Sequence, residues 1–151
     1  MTNHNTATRE RNQQGVKDFL ALLKAKDFDK WIELWADDGI QEMPYAPPGL
    51  PAPIEVKTAI HRHSKGLPKA GSRMSFPDLT IYPMLDPDGV LAEYRGEIDI
   101  AATNRASNNR YCALFHLHNG QARFKEYFNP TLLNEALREA SSLGATFKPG
   151  R

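Results

Sequence analysis

Turn sequences divide the second half of this 151-residue chain into four stretches rich in β-branched and aromatic residues. The stretches are residues 73–85, 89–101, 109–118 and 121–128. Asp86-Pro87-Asp88-Gly89 separates the first two, and Asn119-Gly120, which strongly favours a hairpin, separates the last two. Because short connections join antiparallel neighbours, we predict a meander of four strands.

The first half has helical periodicity instead. Apolar residues from Val16 to Leu23 recur at helical spacing and predict a helix over residues 8–24. A second short helix follows, with Asp27 or Asp29 as its N-cap, and Asp37-Asp38-Gly39 is expected to end it. A third helix is predicted over residues 54–65 and a last one over residues 131–142.

Two segments between these helices are predicted to be non-helical. Residues 40–45 have the pattern of a short strand, and four prolines between Pro47 and Pro53 exclude a helix interior or a central strand. We expect the proline segment to form an ordered rim. Helices followed by a meander indicate an α+β fold, in which a strongly curved, mixed or antiparallel sheet wraps around the N-terminal helices and encloses one pocket.

Length and charge limit the classes of function. We expect one domain over residues 8–142, with residues 1–7 disordered and residues 143–151 as a tail. Lysine plus arginine number 19 and aspartate plus glutamate 18, so the net charge of +1 gives no reason to expect nucleic acid or a membrane surface as a partner. A single cysteine, Cys112, excludes an internal disulfide. We therefore expect a cytoplasmic protein.

Glu126 is the main candidate for a catalytic group. It alternates with Phe124 and Phe128, so burial of those two rings would draw the carboxyl inward. Burial would raise its pKa and suit it to acid–base work, and Arg95 is the expected partner. The alternative is a structural ion pair on an edge strand.

Arg95 and Glu97 lie on the charged side of the 89–101 stretch. By pattern alone this is the outer face of an amphipathic strand. In the functional interpretation the same face points into a polar cavity. His63 is a candidate donor on the third helix, and His61 diverges from it by about 200°. Neither a metal nor a nucleotide cofactor is indicated by any motif.

Large apolar side chains are candidates for substrate binding, with core packing as the alternative for each. They are Trp35, Met43, Tyr45, Tyr111, Phe115 and Phe128.

Three stretches resemble a known family. They are residues 42–51 (EMPYAPPGLP), 86–96 (DPDGVLAEYRG) and 125–130 (KEYFNP). With the order of elements, they are similar to the SnoaL-like family, within the superfamily named after nuclear transport factor two. The resemblance implies a cone-shaped fold that binds a small, largely apolar carbonyl or polyketide-like molecule.

The resemblance also implies roles. The activity would be a cofactor-free isomerase, cyclase or dehydratase/condensing reaction, with Glu126 as base or acid, Arg95 as its orienting group or oxyanion donor and His63 as the second proton-transfer partner. The relatives imply a homodimer. A face of the 109–118 stretch suits such an interface, and it carries Arg110, Cys112, Leu114 and His116.

Two alternatives remain. One is a ligand-binding or scaffold protein without chemistry. The other is an epoxide hydrolase, in which Glu97, Arg95 and Glu126 would form a carboxylate–arginine–carboxylate set. Ile40 and Glu42 depart from the residues that hold water in those hydrolases.

Overall fold

The computed structural model describes residues 2–50, 53–66, 71–101 and 104–135. Three helices occupy the first half, and the sheet takes up most of the second. The helices are α1 (Thr2–Ala25), α2 (Phe28–Glu33) and α3 (Lys57–Ser64). The strands are β1 (Trp35–Glu42), β2 (Ile54–Glu55), β3 (Gly71–Ser75), β4 (Thr80–Pro83), β5 (Gly89–Ile100), β6 (Arg105–Leu117) and β7 (Gln121–Tyr127).

The strands form one curved, unclosed sheet in the order β2-β1-β7-β6-β5-β3, and β4 also pairs with β5. β1 runs parallel to β7, and the other pairs are antiparallel. The predicted α+β class, with a curved mixed sheet and N-terminal helices, is confirmed. The first predicted strand is two strands, because Pro77 and Asp78, whose φ is 60°, interrupt it between β3 and β4.

The hairpin between β6 and β7 forms where the sequence predicts it. Asn119 and Gly120 have φ values of 52° and 100°, the left-handed region that a tight two-residue turn requires. This turn sets the pairing of β7 on β6, in which Phe124 lies opposite Phe115 and Glu126 opposite Ala113.

Helix α1 packs on the concave face of the sheet through an aromatic cluster. The ring of Phe19 lies 5.0–5.9 Å, between centroids, from the rings of Trp31, Trp35, Phe115 and Phe124. All five are at most 3% exposed. The helices therefore cover the part of the concave face that carries Phe115 and Phe124, and the next residues along β7 lead away from this core.

Three boundaries differ from the predictions. Helix α1 begins at Thr2, so residues 2–7 are helical rather than disordered. Asp37-Asp38-Gly39 lies inside β1 instead of ending a helix. Gly39 passes directly beneath the Trp35 ring, where a Cβ atom would come within 2.7 Å of Cε3, and this close approach explains the glycine.

The start of α3 is the third difference. Ile54 and Glu55 pair with Gln41 and Ile40 of β1, so the helix begins only at Lys57. Val56 is its N-cap, has a φ of 66° and is exposed.

The remaining predictions concern caps and the C-terminal part. Asp27 caps α2, because its Oδ1 accepts a hydrogen bond from the Lys30 backbone N–H at 3.2 Å.

Residues 130–135 are helical, and the rest of the predicted last helix and the tail lie outside the described residues. Residues 43–50 and 53 are neither helix nor strand; residues 51–52 of the proline segment also lie outside. Among the described helices, none is both long and apolar enough to cross a membrane.

Candidate functional site

A carboxyl and a phenol meet on the concave face of the sheet. Glu126 of β7 lies between the buried rings of Phe124 and Phe128, and Oε2 of Glu126 accepts a short hydrogen bond from the hydroxyl of Tyr94 on β5. Tyr94 itself is 3% exposed. The intervening strand β6 places Ala113 opposite Glu126, and this small side chain leaves room for the contact.

The Glu126 carboxyl has no positive partner among the residues that the structure describes. Burial therefore raises the pKa of Glu126 to about 7, and the hydrogen bond from Tyr94 opposes that rise because it favours the charged form. Near neutral pH the carboxyl is divided between its two protonation states. A group in this condition can both accept and return a proton, which is the property that acid–base catalysis requires.

Aromatic rings surround this pair. Tyr111 of β6 stacks on Tyr94 with centroids 5.4 Å apart and planes 16° apart. The ring centroids of Phe128 and Tyr111 are 5.7 Å apart, and the ring of Phe76 packs edge-on against that of Tyr94 with centroids 5.9 Å apart. Burial and the charge of Glu126 raise the pKa values of both tyrosines, so both phenols keep their protons at neutral pH. The surroundings are thus apolar, with hydroxyl donors.

Asn109 fixes the chain as it leaves β7. Its Nδ2 donates to the carbonyl of Asn129 at 2.9 Å, and its Oδ1 accepts from the Asn129 N–H at 3.1 Å. The side chain is 5% exposed, so these bonds are shielded from water. Because Asn129 follows Phe128 directly, this double contact helps to hold Phe128 and Glu126 on the concave face.

Comparison with known proteins identifies the fold and the family. A family model described as a SnoaL-like domain matches residues 16–124. The chain belongs to the SnoaL-like family. The protein YesE of Bacillus subtilis (strain 168) is 32% identical over 128 residues, which cover 84% of this chain and 87% of that protein.

Solved structures agree with this family. The crystal structure of a proposed isomerase from Bacillus subtilis has 30% identity and a TM-score of 0.81, and the match covers 87% of this chain and 96% of that one. A phenazine biosynthesis-related protein from Pseudomonas aeruginosa has 21% identity and a TM-score of 0.78, covering 89% and 85%. This SnoaL-like chain therefore has the cone-shaped fold of the superfamily named after nuclear transport factor two.

Arg95 does not pair with Glu126, contrary to our expectation. Its Nη2 donates to Glu97 Oε1 at 2.7 Å and its Nη1 to Asp78 Oδ2 at 3.2 Å. Side chains alternate along β5, so Tyr94 on the concave face requires Arg95 and Glu97 to lie on the convex face. The carboxylate–arginine–carboxylate set of the epoxide-hydrolase alternative is therefore not assembled.

The two histidines of α3 have different surroundings. Nε2 of His61 lies 3.0 Å from Asp29 Oδ1 on α2. The His63 side chain forms no hydrogen bond or ion pair with any residue that the structure describes, and burial lowers its pKa, which favours the neutral imidazole. Within the described ranges, no three His, Cys, Asp or Glu side chains come together as a metal site would require.

The six candidates for substrate binding separate into groups. Tyr111 and Phe128 lie beside the Glu126–Tyr94 pair. Trp35 and Phe115 belong to the aromatic core around Phe19.

Tyr45 and Met43 follow β1. Tyr45 is 60% exposed, and its ring contacts Tyr127, which alternates with Glu126 and therefore lies on the convex side. Met43 follows the last residue of β1 and is partly buried. Tyr45 is consequently separated from the concave face.

Tyr94 is the residue of this candidate site that the sequence analysis missed. The alternation of Val90, Ala92, Tyr94 and Gly96 along β5 is the pattern that could have revealed it, because this series is uniformly buried. A buried tyrosine needs a hydrogen-bond partner for its hydroxyl, and a carboxyl flanked by phenylalanines is such a partner.

Proposed function

We propose that this protein is a cofactor-free acid–base enzyme in which Glu126 moves a proton on a small, largely apolar carbonyl compound. The observation that carries the proposal is a carboxyl on the concave face that accepts a hydrogen bond from a phenol and has no described cation beside it. Burial in this place raises the pKa of Glu126 to about 7. A purely structural carboxylate would be expected to pair with an arginine or lysine, as Glu97 does with Arg95.

The reaction that fits this group is a proton shift next to a carbonyl. In its charged form Glu126 would remove a proton from the carbon beside the carbonyl, and the protonated carboxyl would return it at another carbon of the same conjugated system. The apolar surroundings suit a substrate without charge. Similarity to the proposed isomerase from Bacillus subtilis supports an isomerisation over the cyclase and dehydratase alternatives.

His63 remains our proposal for the second proton-transfer partner. A neutral imidazole can accept a proton on one nitrogen while donating from the other. The proposal is supported by its partly buried place on α3 and by its lowered pKa. Replacing His63 by glutamine would be expected to slow the reaction without preventing folding.

The test is the isomerisation of cyclohex-3-en-1-one and related unconjugated ketones, followed by the absorbance of the conjugated product. We expect the wild type to accelerate the reaction over buffer. Glu126→Gln should lower the rate by about 10²–10⁴-fold, the usual contribution of a positioned acid or base. Asp99→Asn, on the convex face, is the matched control and should leave the rate unchanged.

Two outcomes would contradict the proposal. A Glu126→Gln variant with the wild-type rate would remove Glu126 from the chemistry. A wild type that binds these ketones but accelerates none of them would favour the alternative of a non-catalytic ligand-binding protein.

We also propose that two copies associate through the convex face. A groove of about 500 Å³ on this face is lined in part by Ile40, Leu114 and His116, and a second sheet could cover it. Light scattering at micromolar concentration should give the mass of a dimer, and the mass of a monomer would contradict the association.

We further propose that the protein acts in the cytoplasm. The single cysteine is free, which suits a reducing compartment. Cell fractionation should recover the protein with cytoplasmic markers, and its absence from that fraction would contradict the location.

A further inference from the structure

The two stacked tyrosines on the concave face differ in what their hydroxyls bind. The hydroxyl of Tyr94 donates its single proton to Glu126. The hydroxyl of Tyr111 makes no hydrogen bond to any residue that the structure describes, although the charge of Glu126 acts on it. A hydroxyl has one proton to donate, so Tyr94 cannot serve a ligand while it serves Glu126. The hydroxyl of Tyr111, beside the carboxyl, therefore remains available to donate a hydrogen bond to a ligand.

The position of the Tyr111 ring depends on the absence of a side chain at Gly96. A Cβ atom at Gly96 would lie 2.3 Å from Cε2 of Tyr111 and 3.1 Å from its Cδ2 and Cζ atoms. Gly96 pairs with Asn109, two residues before Tyr111, so the ring crosses diagonally over the glycine backbone. Any larger residue at position 96 would push the ring away from the sheet.

Neighbouring rings restrict Tyr111 further. Tyr94 stacks on it nearly in parallel, and Phe128 packs against it at an angle of 49°. A donor that is already held in place costs little to order when a ligand binds, and such donors contribute most to stabilising a developing negative charge. The packing of Tyr111 therefore gives its free hydroxyl a defined direction beside Glu126.

We infer that the hydroxyl of Tyr111 binds the oxygen of the substrate carbonyl, and that Gly96 is the residue that positions it; this inference rests on the proposed function. When Glu126 takes the proton, the carbon–hydrogen bond breaks and its electron pair forms the carbon–carbon double bond of an enolate. The carbonyl π electrons move to oxygen, where Tyr111 donates a hydrogen bond and keeps its proton. Return of the proton from Glu126 to a second carbon restores the carbonyl.

A pair of ligands of equal shape tests the inference. 2-Naphthol has an oxygen that can accept a hydrogen bond, whereas 2-methylnaphthalene has a methyl group in the same place. We expect the wild type to bind 2-naphthol about tenfold more tightly, as one hydrogen bond of about 1.4 kcal/mol predicts. Tyr111→Phe should lose this preference, and Gly96→Ala should reduce it in the same direction.

Matched controls lie elsewhere in the chain. Tyr45→Phe removes a hydroxyl on the convex side, and Gly66→Ala adds a Cβ atom whose nearest neighbour is 3.4 Å away. Both should keep the tenfold preference. In the isomerisation assay Tyr111→Phe should lower kcat by about tenfold or more with little change in KM, because the hydrogen bond strengthens as the oxygen becomes charged.

The outcomes separate this inference from the proposed function. A Tyr111→Phe variant that keeps both the preference for 2-naphthol and the wild-type kcat overturns the role of Tyr111 while the role of Glu126 stands. A wild type without preference for 2-naphthol does the same. A wild type that isomerises no ketone overturns the proposed function itself.

Discussion

The convex and concave faces of the sheet differ in how their charged side chains are paired. On the convex face, Arg95 pairs with Glu97 and Asp78, and Arg73 of β3 pairs with Asp99. These ion pairs are open to water. On the concave face, the carboxyl of Glu126 has only a phenol as its partner among the described residues.

The difference shows why a buried carboxyl without a cation is a candidate for chemistry. Exposed ion pairs contribute little and leave the carboxylates charged. The Glu126 carboxyl is buried without a compensating positive charge, so its charged form is disfavoured and its pKa rises to about 7. The following predictions test this contrast between the faces, in order of decreasing effect.

Truncation of the concave core should have the largest effect on stability. Phe115 is 1% exposed and contacts Phe19 and Phe124, so Phe115→Ala should lower the free energy of unfolding by about 3–5 kcal/mol. Leu114, its neighbour on the convex face, is only partly buried, and Leu114→Ala should cost about 1–2 kcal/mol. Urea unfolding of both variants measures the difference. Equal losses would contradict the assignment of the two faces.

The stability of the wild type should fall as the pH rises from 4.5 through 7. In this range folded Glu126 keeps a proton that the unfolded chain has lost, so raising the pH favours unfolding. One pKa unit corresponds to about 1.4 kcal/mol, so the loss attributable to Glu126 approaches about 3 kcal/mol by pH 8.

Glu126→Gln isolates this contribution. Relative to the wild type, the variant should gain about 3 kcal/mol of stability between pH 4.5 and pH 8, because it has no charge to bury. Asp99→Asn on the convex face should show no such gain. Urea unfolding at a series of pH values gives both curves, and parallel curves for the wild type and Glu126→Gln would show that the carboxyl is solvated.

Tyr94→Phe tests the hydrogen bond on the concave face. The hydroxyl lowers the pKa of Glu126, so its removal should move that pKa upward from about 7 and cost about 1–2 kcal/mol of stability. Carbon-13 NMR of the Glu126 carboxyl follows the titration. Tyr82→Phe, a change to an exposed tyrosine, is the control and should leave the titration in place. A downward shift in Tyr94→Phe would be inconsistent with this arrangement.

Loss of the convex ion pair should have the smallest effect. Glu97→Gln removes one partner of Arg95, whose side chain is half exposed, and should cost less than about 1 kcal/mol. The cost should shrink further at high salt. Thermal unfolding at low and high salt measures it, and a cost comparable to that of Phe115→Ala would mean that this face is shielded from water.

Local sequence patterns predicted the elements whose cause is local. Asn119-Gly120 forms the hairpin, and Asp27 caps α2, because both act within two or three residues of the backbone that they organise. Asp37-Asp38-Gly39 was misinterpreted as a helix end because its local pattern is that of a turn, whereas the cause of its structure is not local. Trp35 and Ile40, on either side of it, pair with β7, which is distant in sequence, and this pairing includes the intervening residues in β1 as an irregularity.

The sequence by itself determined the α+β class, the placing of the helices before the meander, and the alternation that groups Glu126 with Phe124 and Phe128. It did not determine which face of β5 turns inward, because Tyr94 and Gly96 fit a buried face while Arg95 and Glu97 fit either an exposed face or a polar cavity. Only the tertiary structure decided this, through the packing of α1 and the pairing of β5 with β6. The free-energy cost of burying Arg95 and Glu97 exceeds that of burying Tyr94 and Gly96, so the partner of Glu126 is a phenol and not a guanidinium.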